Sequence, residues 1–381
     1  MQKNKNIILL LLANLLQGLV FYAPVATLYR QAAGISVLQI TVIESISLAL
    51  CVVLELPWGI VADRIGYRNT MIICMVLEFI SKIVFWKADG FGGFLLERIL
   101  LSIVIAGLSG VDASILYLSC KKEESQKVFS VYYNLNTVGL LAAAGIYTVF
   151  LKENYRMAGF LTMVIYGIRA VIIFGIDEVK EKDGEEKKES GKEFVSVLKE
   201  ILTQKRILLL VLGVALLNET HQTITVFLNQ LQYLKCGMDN AQIGIVYGIV
   251  TIAGLLGFLS ARMTKKWGRS RSGNMLFLGS ILSCLILMIT KSAILSILAI
   301  MLLRICFSLL QPLQESMQND MIQTSNRATA LSVNAVLMDA VAIFTNVLFG
   351  RAADINIAFA MGIGVVFCIV GFVLFRLGRK E

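Results

Sequence analysis

Glu178-Val-Lys-Glu-Lys-Asp-Gly-Glu-Glu-Lys-Lys-Glu189 is a run of mixed charge in a chain of 381 residues that is 57% hydrophobic and only 16% charged. A soluble domain carries roughly 45–50% apolar and about 25% charged residues. The mean hydropathy of +0.76 therefore marks a large apolar excess. That excess comes in blocks, and a block of roughly 20 residues crosses the hydrocarbon core. Outward from the charged run, six blocks lie on each side: 7–29, 37–61, 70–86, 91–118, 128–150 and 157–176 before it, and 206–231, 240–263, 274–290, 292–316, 328–350 and 355–376 after it. The expected fold is all-α and integral to a membrane, with about twelve transmembrane helices. Residues 1–176 and 206–381 form two six-helix bundles, and 177–205 is a charged linker. Within the linker, 193–202 has the pattern of an amphipathic surface helix. The first block exceeds the 7–15 residues of a signal-peptide core, and no small-residue cleavage site follows it.

The formal charge of +9 is a topology signal. Basic residues gather in the cytoplasmic loops of membrane proteins. With both termini in the cytoplasm, 24 of the 35 basic residues fall on that side, including Arg64, Arg68, Lys121, Lys127, Lys265, Lys266 and the linker. The outer loops hold Arg30, Lys87, Lys152, Arg156, Lys235, Lys291 and Arg351. This distribution predicts a multi-pass protein of the cell (inner) membrane and gives no footprint for nucleic acid. Three prolines and one histidine argue against a loop-rich β fold and a multi-histidine metal site. The seven cysteines are scattered without metal-ligand spacing and read as buried thiols, with Cys236 alone in an outer loop.

The halves repeat. Gly34-Ile-Ser-Val-Leu-Gln39-Ile matches Gly237-Met-Asp-Asn-Ala-Gln242-Ile at an offset of 203. Ile65-Gly66 matches Trp267-Gly268, and Ser130-Val131 matches Ser332-Val333, both at 202. An even span count with a parallel duplication is an architecture of two-bundle transporters.

The loop after the second span reads Gly59-Ile-Val-Ala-Asp63-Arg64-Ile-Gly66-Tyr-Arg68. It resembles motif A of the major facilitator superfamily (MFS), GxxxDRxGxR, at the place that family carries it. The resemblance implies that Asp63, Arg64 and Arg68, with Gly59 and Gly66 allowing close helix approach and a tight turn, form a conformational latch. Asp112 in span four is expected within reach of Arg64 or Arg68 as part of it. The second-half counterpart, Lys265-Lys266-Trp267-Gly268, lacks the aspartate. Arg98 sits where drug-exporting members carry a motif B arginine, but the following glycine spacing departs from that motif. Span five has Gly139 and Gly145 without the Gly-Pro pair of antiporters. Glu55-Leu-Pro57-Trp-Gly59 and Ser109-Gly110-Val-Asp112 look like a bacterial exporter-like subgroup.

The same resemblance implies that spans one, four, seven and ten line a central cavity. This makes Gln17, Arg98, Asn218, Glu219, His221, Gln222 and Arg304 candidates for substrate binding or proton coupling, with Asp339 of span eleven as a rival acid. Each ionisable residue inside a membrane needs an explanation, because burying it costs a few kcal/mol. Glu219 lies mid-span, and helical spacing sets Gln222, Thr223 and Gln230 on its stripe. The plainer reading of that stripe is helix packing. Asp339 could instead make an interhelical hydrogen bond, and Arg98 and Arg304 could pair with Glu97, Glu44 or Asp339. Glu78 and Lys82, four apart on span three, read as a self-neutralising pair. Arg169 reads as pairing or reaching the membrane surface. His221 reads as structural or as a titrating group.

The expected function is alternating-access secondary transport: proton-coupled antiport, or efflux, of a small amphipathic compound or drug. Proton-coupled uptake of a nutrient is the alternative. A non-transporting sensor or a membrane enzyme is remote, because the linker is too short for a soluble domain and no catalytic constellation is clustered. No P-loop is present. No cofactor or metal is expected; the partners are a small-molecule substrate, protons and lipid, and the chain is expected to be a monomer. In a chain stripped of its native cysteines, Lys266→Cys should resist an impermeant thiol reagent applied to intact cells and react after permeabilisation. Labelling from outside would invert the topology.

Overall fold

The computed structural model describes residues 2–121, 124–179, 199, 202–321 and 327–379. The expected surface helix and most of the charged linker lie outside the described residues. Among those described, twelve helices are long and apolar enough to cross a membrane, and no strand occurs. They are α1 (Lys5–Ala32), α2 (Val37–Ile65), α3 (Tyr67–Lys87), α4 (Gly90–Ser119), α5 (Ser125–Leu151), α6 (Tyr155–Ile173), α7 (Lys205–Lys235), α8 (Asn240–Trp267), α9 (Arg269–Ile289), α10 (Ala293–Met321), α11 (Arg327–Ile355) and α12 (Ile357–Gly378). The all-α membrane fold and its twelve spans agree with the reading of the sequence.

The chain packs into two compact units. The first contains Met1–Ile35, Ile46–Glu185 and Asn240–Gly248; the second contains Ser36–Ser45, Glu186–Asp239 and Ile249–Glu381. Residues 36–45, the start of α2, pack in the second unit, and 240–248, the start of α8, pack in the first.

In the first unit α3 packs on α4 and α6, and α1 on α5 and α6. The α1–α5 crossing depends on missing side chains: a Cβ on Gly18 would collide with the Asn136 carbonyl, and one on Gly139 with the Leu15 carbonyl. Small residues at such crossings let backbones meet where lipid offers no hydrophobic drive. The start of α8 is seated the same way, since a Cβ on Gly244 would collide with Thr148 Oγ1 of α5, and Asn240 Nδ2 donates to Tyr155 Oη at 2.9 Å.

In the second unit α7 packs on α12 and α11, and α9 on α10 and α12. Gly213 and Gly371 meet at the α7–α12 crossing, where a Cβ on either would lie 2.7 Å from the other's carbonyl oxygen. The start of α2 lies against α11. Asp354 accepts from the backbone amides of Val37 (2.9 Å) and Leu38 (3.3 Å), capping the first turn of α2. A Cβ on Gly350 would collide with Thr41 Oγ1, and Ser45 Oγ donates to the Ile343 carbonyl at 2.9 Å.

The sequence repeat is also a repeat of backbone conformation. Gly34 and Gly237 have φ of 88° and 79°. Gly66 and Gly268 begin α3 and α9 with φ, ψ of 85°, 160° and 78°, 155°. These left-handed values favour glycine. Two irregularities share the offset as well: α1 is interrupted after Gly18 and re-forms through a 3-10 turn at Ala23–Val25, and α7 widens into a π-helical turn at Thr223–Leu228.

The fourth span also departs from its expected continuity. The α4 span stops at Leu108 and restarts at Val111, with Gly110 left-handed at φ 78°. The sequence reading of 91–118 as one helix missed this break because the stretch is long and predominantly apolar on both sides of it. Gly18→Val should destabilise the protein by about 1–3 kcal/mol through overpacking. Gly145→Ala, at a helical position with open space around it, should stabilise it by about 0.5–1 kcal/mol. Thermal melting of the purified variants checks both signs.

Candidate functional site

In the second unit Glu219 is 6% exposed. Its Oε1 accepts from Asn218 Nδ2 at 3.2 Å, and Asp339 lies within electrostatic reach. Among the described residues no basic side chain pairs with Glu219. Two residues on, His221 is 1% exposed and stacks on Phe307 of α10, with ring centroids 3.9 Å apart. Its Nε2 lies 3.3 Å from Arg304 Nη1 and 3.3 Å from Thr225 Oγ1. A guanidinium only donates, so Nε2 accepts, and the proton of the neutral ring sits on Nδ1. That Nδ1 is buried without a partner among the described residues. Gly254 of α8 makes room for Arg304: a Cβ there would lie 2.6 Å from its Nε.

Of the expected stripe along α7, Glu219, Thr223 and Gln230 share a buried setting and Gln222 departs from it. Gln222 is exposed whereas Glu219 and Thr223 are buried. The π-helical turn starts at Thr223, whose Oγ1 donates to Asn346 Oδ1 of α11 at 3.0 Å. Gln230 is buried and bonds the Val226 carbonyl at 3.2 Å.

The first unit holds a separate ionic network. Arg169 of α6 pairs with Glu78 of α3 and donates to Gln17 Oε1 at 3.1 Å. Lys82 pairs with Glu97 of α4 at 3.5 Å and donates to Tyr22 Oη at 3.3 Å. Glu78 and Lys82 thus each find a partner on another helix, which corrects the expected pairing along α3: both point inward, where the opposite charges of α4 and α6 are nearer. Gln17 belongs to this network. Arg98 is half-buried, and the Glu97 considered as its partner is bonded to Lys82.

Around the motif A loop, α2 runs through Asp63, whose side chain lies outside the described residues. Gly59 has open space around it, and Arg64 is exposed. Arg68 turns to the end of α6, donating to the carbonyls of Ile176 (2.6 Å) and Phe174 (3.4 Å). Its backbone amide donates to Glu178 Oε1 at 3.3 Å. An arginine suits a helix C-terminus because the carbonyls there are unpaired and the dipole is negative. Asp112 does not pair with either arginine; it accepts from Tyr132 Oη of α5 (2.9 Å) and from the Ala113 amide (2.8 Å). The sequence reading missed Glu178, Tyr132 and Phe307. Glu178 was read as part of a solvated linker, and the other two carry no charge to draw notice. No group of three or more potential metal ligands occurs among the described residues.

Twelve apolar helices, a repeated half and charge buried inside the bundles define a multi-pass transport protein. The Major Facilitator Superfamily description matches residues 8–346, and the chain belongs to that superfamily. A search of the curated proteins finds no significant match. Among solved structures, the chain is similar to the nucleoside transporter NupG (14% identity, 100% of both chains, TM-score 0.80). It is also similar to a bacterial homolog of the human lysosomal transporter Spinster, in an inward-facing and occupied conformation (15%, 99% of this chain and 97% of that one, 0.73). A third likeness is to a D-xylose-proton symporter (14%, 97% of each, 0.73). At these identities the likeness speaks for the fold alone.

Arg169→Met should cost about 3–5 kcal/mol, because Glu78 is left buried without a counter-charge. Adding Glu78→Leu to it should restore most of the loss. Thermal melting of the single and double variants measures the difference.

Proposed function

We propose that this transporter works by alternating access and couples solute movement to protons through Glu219. The observation that carries the reading is a contrast between acids: Glu78 and Glu97 are buried against Arg169 and Lys82, whereas no described base pairs with the buried Glu219. A carboxylate in that setting is costly to keep charged unless a proton or a cation joins it. Asp339 adds a second negative charge within reach. His221 suits the role less well, since a charged imidazole would face the Arg304 guanidinium at 3.3 Å. The matched irregularities in α1 and α7 support the reading, because interrupted helices at corresponding places in two repeats mark transporter binding sites. One charge moved through 100 mV is worth about 2.3 kcal/mol, a roughly 50-fold concentration ratio. A single carboxyl is therefore enough to drive accumulation.

The direction favoured by the exporter-like stretches is efflux of a small amphipathic compound from the cytoplasm, with the termini and linker on the cytoplasmic face of the cell membrane and the chain acting as a monomer. Proton-coupled uptake is the second reading, supported by the likeness to a D-xylose-proton symporter. The motif A loop, Asp63 with Arg64 and Arg68, serves as the latch. A thermal-shift screen of metabolites and antibiotics identifies the solute. Glu219→Gln, which imitates the protonated acid, should then bind that solute without pH dependence and lose gradient-driven accumulation in vesicles. Full accumulation by Glu219→Gln would pass the coupling role to Asp339, for which Asp339→Asn is the matching variant.

A further inference from the structure

The break in α4 opens on a cavity of about 350 Å³ inside the first unit. Small-molecule sites fall roughly between 300 and 1,000 Å³. Leu108, Ser109, Gly110 and Asp112 of the broken segment line it. The last carbonyls of a helix have no donor within the helix, so the stop at Leu108 presents acceptors to this space. In a membrane such groups need partners.

Two charges in the lining cancel and one does not. Arg169 and Glu78 both face the cavity and are paired with each other. Asp112 receives the Tyr132 hydroxyl and the Ala113 amide, and among the described residues no basic side chain pairs with it. A second demand comes from Arg169. It is 3% exposed, and its Nε is buried with no acceptor among the described residues. The remaining wall has an apolar part, Met71, Met75 and Val104, beside the polar Gln17, Ser109 and Tyr132.

We propose that this cavity is a second ligand site, taking a small amine that carries a hydroxyl, ether or carbonyl oxygen on an apolar body. The ammonium group balances Asp112 and donates to the terminal carbonyls of the α4 segment that stops at Leu108. The oxygen accepts from Arg169 Nε. The apolar body lies along the two methionines, whose unbranched side chains adapt to irregular shapes. A ligand with a carboxylate meets the charge of Asp112, and a plain alcohol leaves that charge unbalanced. This site is independent of the proton-coupling role given to Glu219.

Equilibrium dialysis of the purified full chain with L-phenylalaninol tests the site. Saturable binding is expected, about tenfold or more tighter than for L-phenylalanine or 3-phenylpropan-1-ol. Asp112→Asn should weaken it about tenfold or more. Val104→Phe, which fills the space without touching a charge, should do the same and carries the test if Asp112→Asn does not fold. Glu219→Gln should bind the amine as the wild type does. Absence of saturable binding up to about 10 mM, equal affinity for the alcohol, or retention of affinity in Val104→Phe overturns the proposal. Loss in Glu219→Gln with retention in Asp112→Asn also overturns it, by placing the amine at Glu219. None of these outcomes touches the coupling reading, which stands on gradient-driven accumulation.

Discussion

A charge inside a membrane protein must be neutralised by something within reach, because lipid supplies neither water nor counter-ion. The interior of this protein is arranged around that constraint. In the first unit two acids and two bases from α3, α4 and α6 cancel across helices, so the pairs also fix which helices are neighbours. In the second unit the Arg304 guanidinium is placed against a neutral imidazole, and among the described residues no base pairs with the buried Glu219. The first unit thus uses its buried ionisable residues as cross-links between helices.

Packing follows a related economy of side chains. Without a hydrophobic drive between helices, close approach has to come from shape. The Gly18–Gly139 and Gly213–Gly371 crossings supply it. The positive-φ glycines supply the turns that reset the chain between spans. Backbone irregularity is tolerated where side chains or a cavity can receive the freed groups, as at the break in α4 and the π-helical turn in α7.

The fold was legible in the sequence because its signals are long. Blocks of roughly 20 apolar residues survive an uncertain boundary, and the Gly34/Gly237 and Gly66/Gly268 matches proved to be shared conformations. The motif A stretch pointed to the right superfamily. Partners were much less legible. Helical spacing set Glu78 beside Lys82, yet each bonds a charge on another helix, because helices far apart in sequence bring nearer partners. The π-helical turn after Gln222 was not legible either, since nothing in Gln222-Thr-Ile-Thr-Val-Phe announces it. Arg68 pairs with carbonyl groups, which every sequence has and none displays.

The exchanged helix ends carry a further consequence. Thr41 and Thr148 belong to the first half of the chain; Gly244 and Gly350, at offsets of 203 and 202, stand at the corresponding places in the second. Each threonine meets a glycine: Thr41 against Gly350, Thr148 against Gly244. Two copies of the first half would set threonine against threonine, and two copies of the second would leave glycine against glycine, one too crowded and the other too loose. The halves are therefore complementary as well as similar, and each discriminates against its own copy by side-chain volume alone. A symmetric pair built from either half alone would meet that mismatch at both contacts.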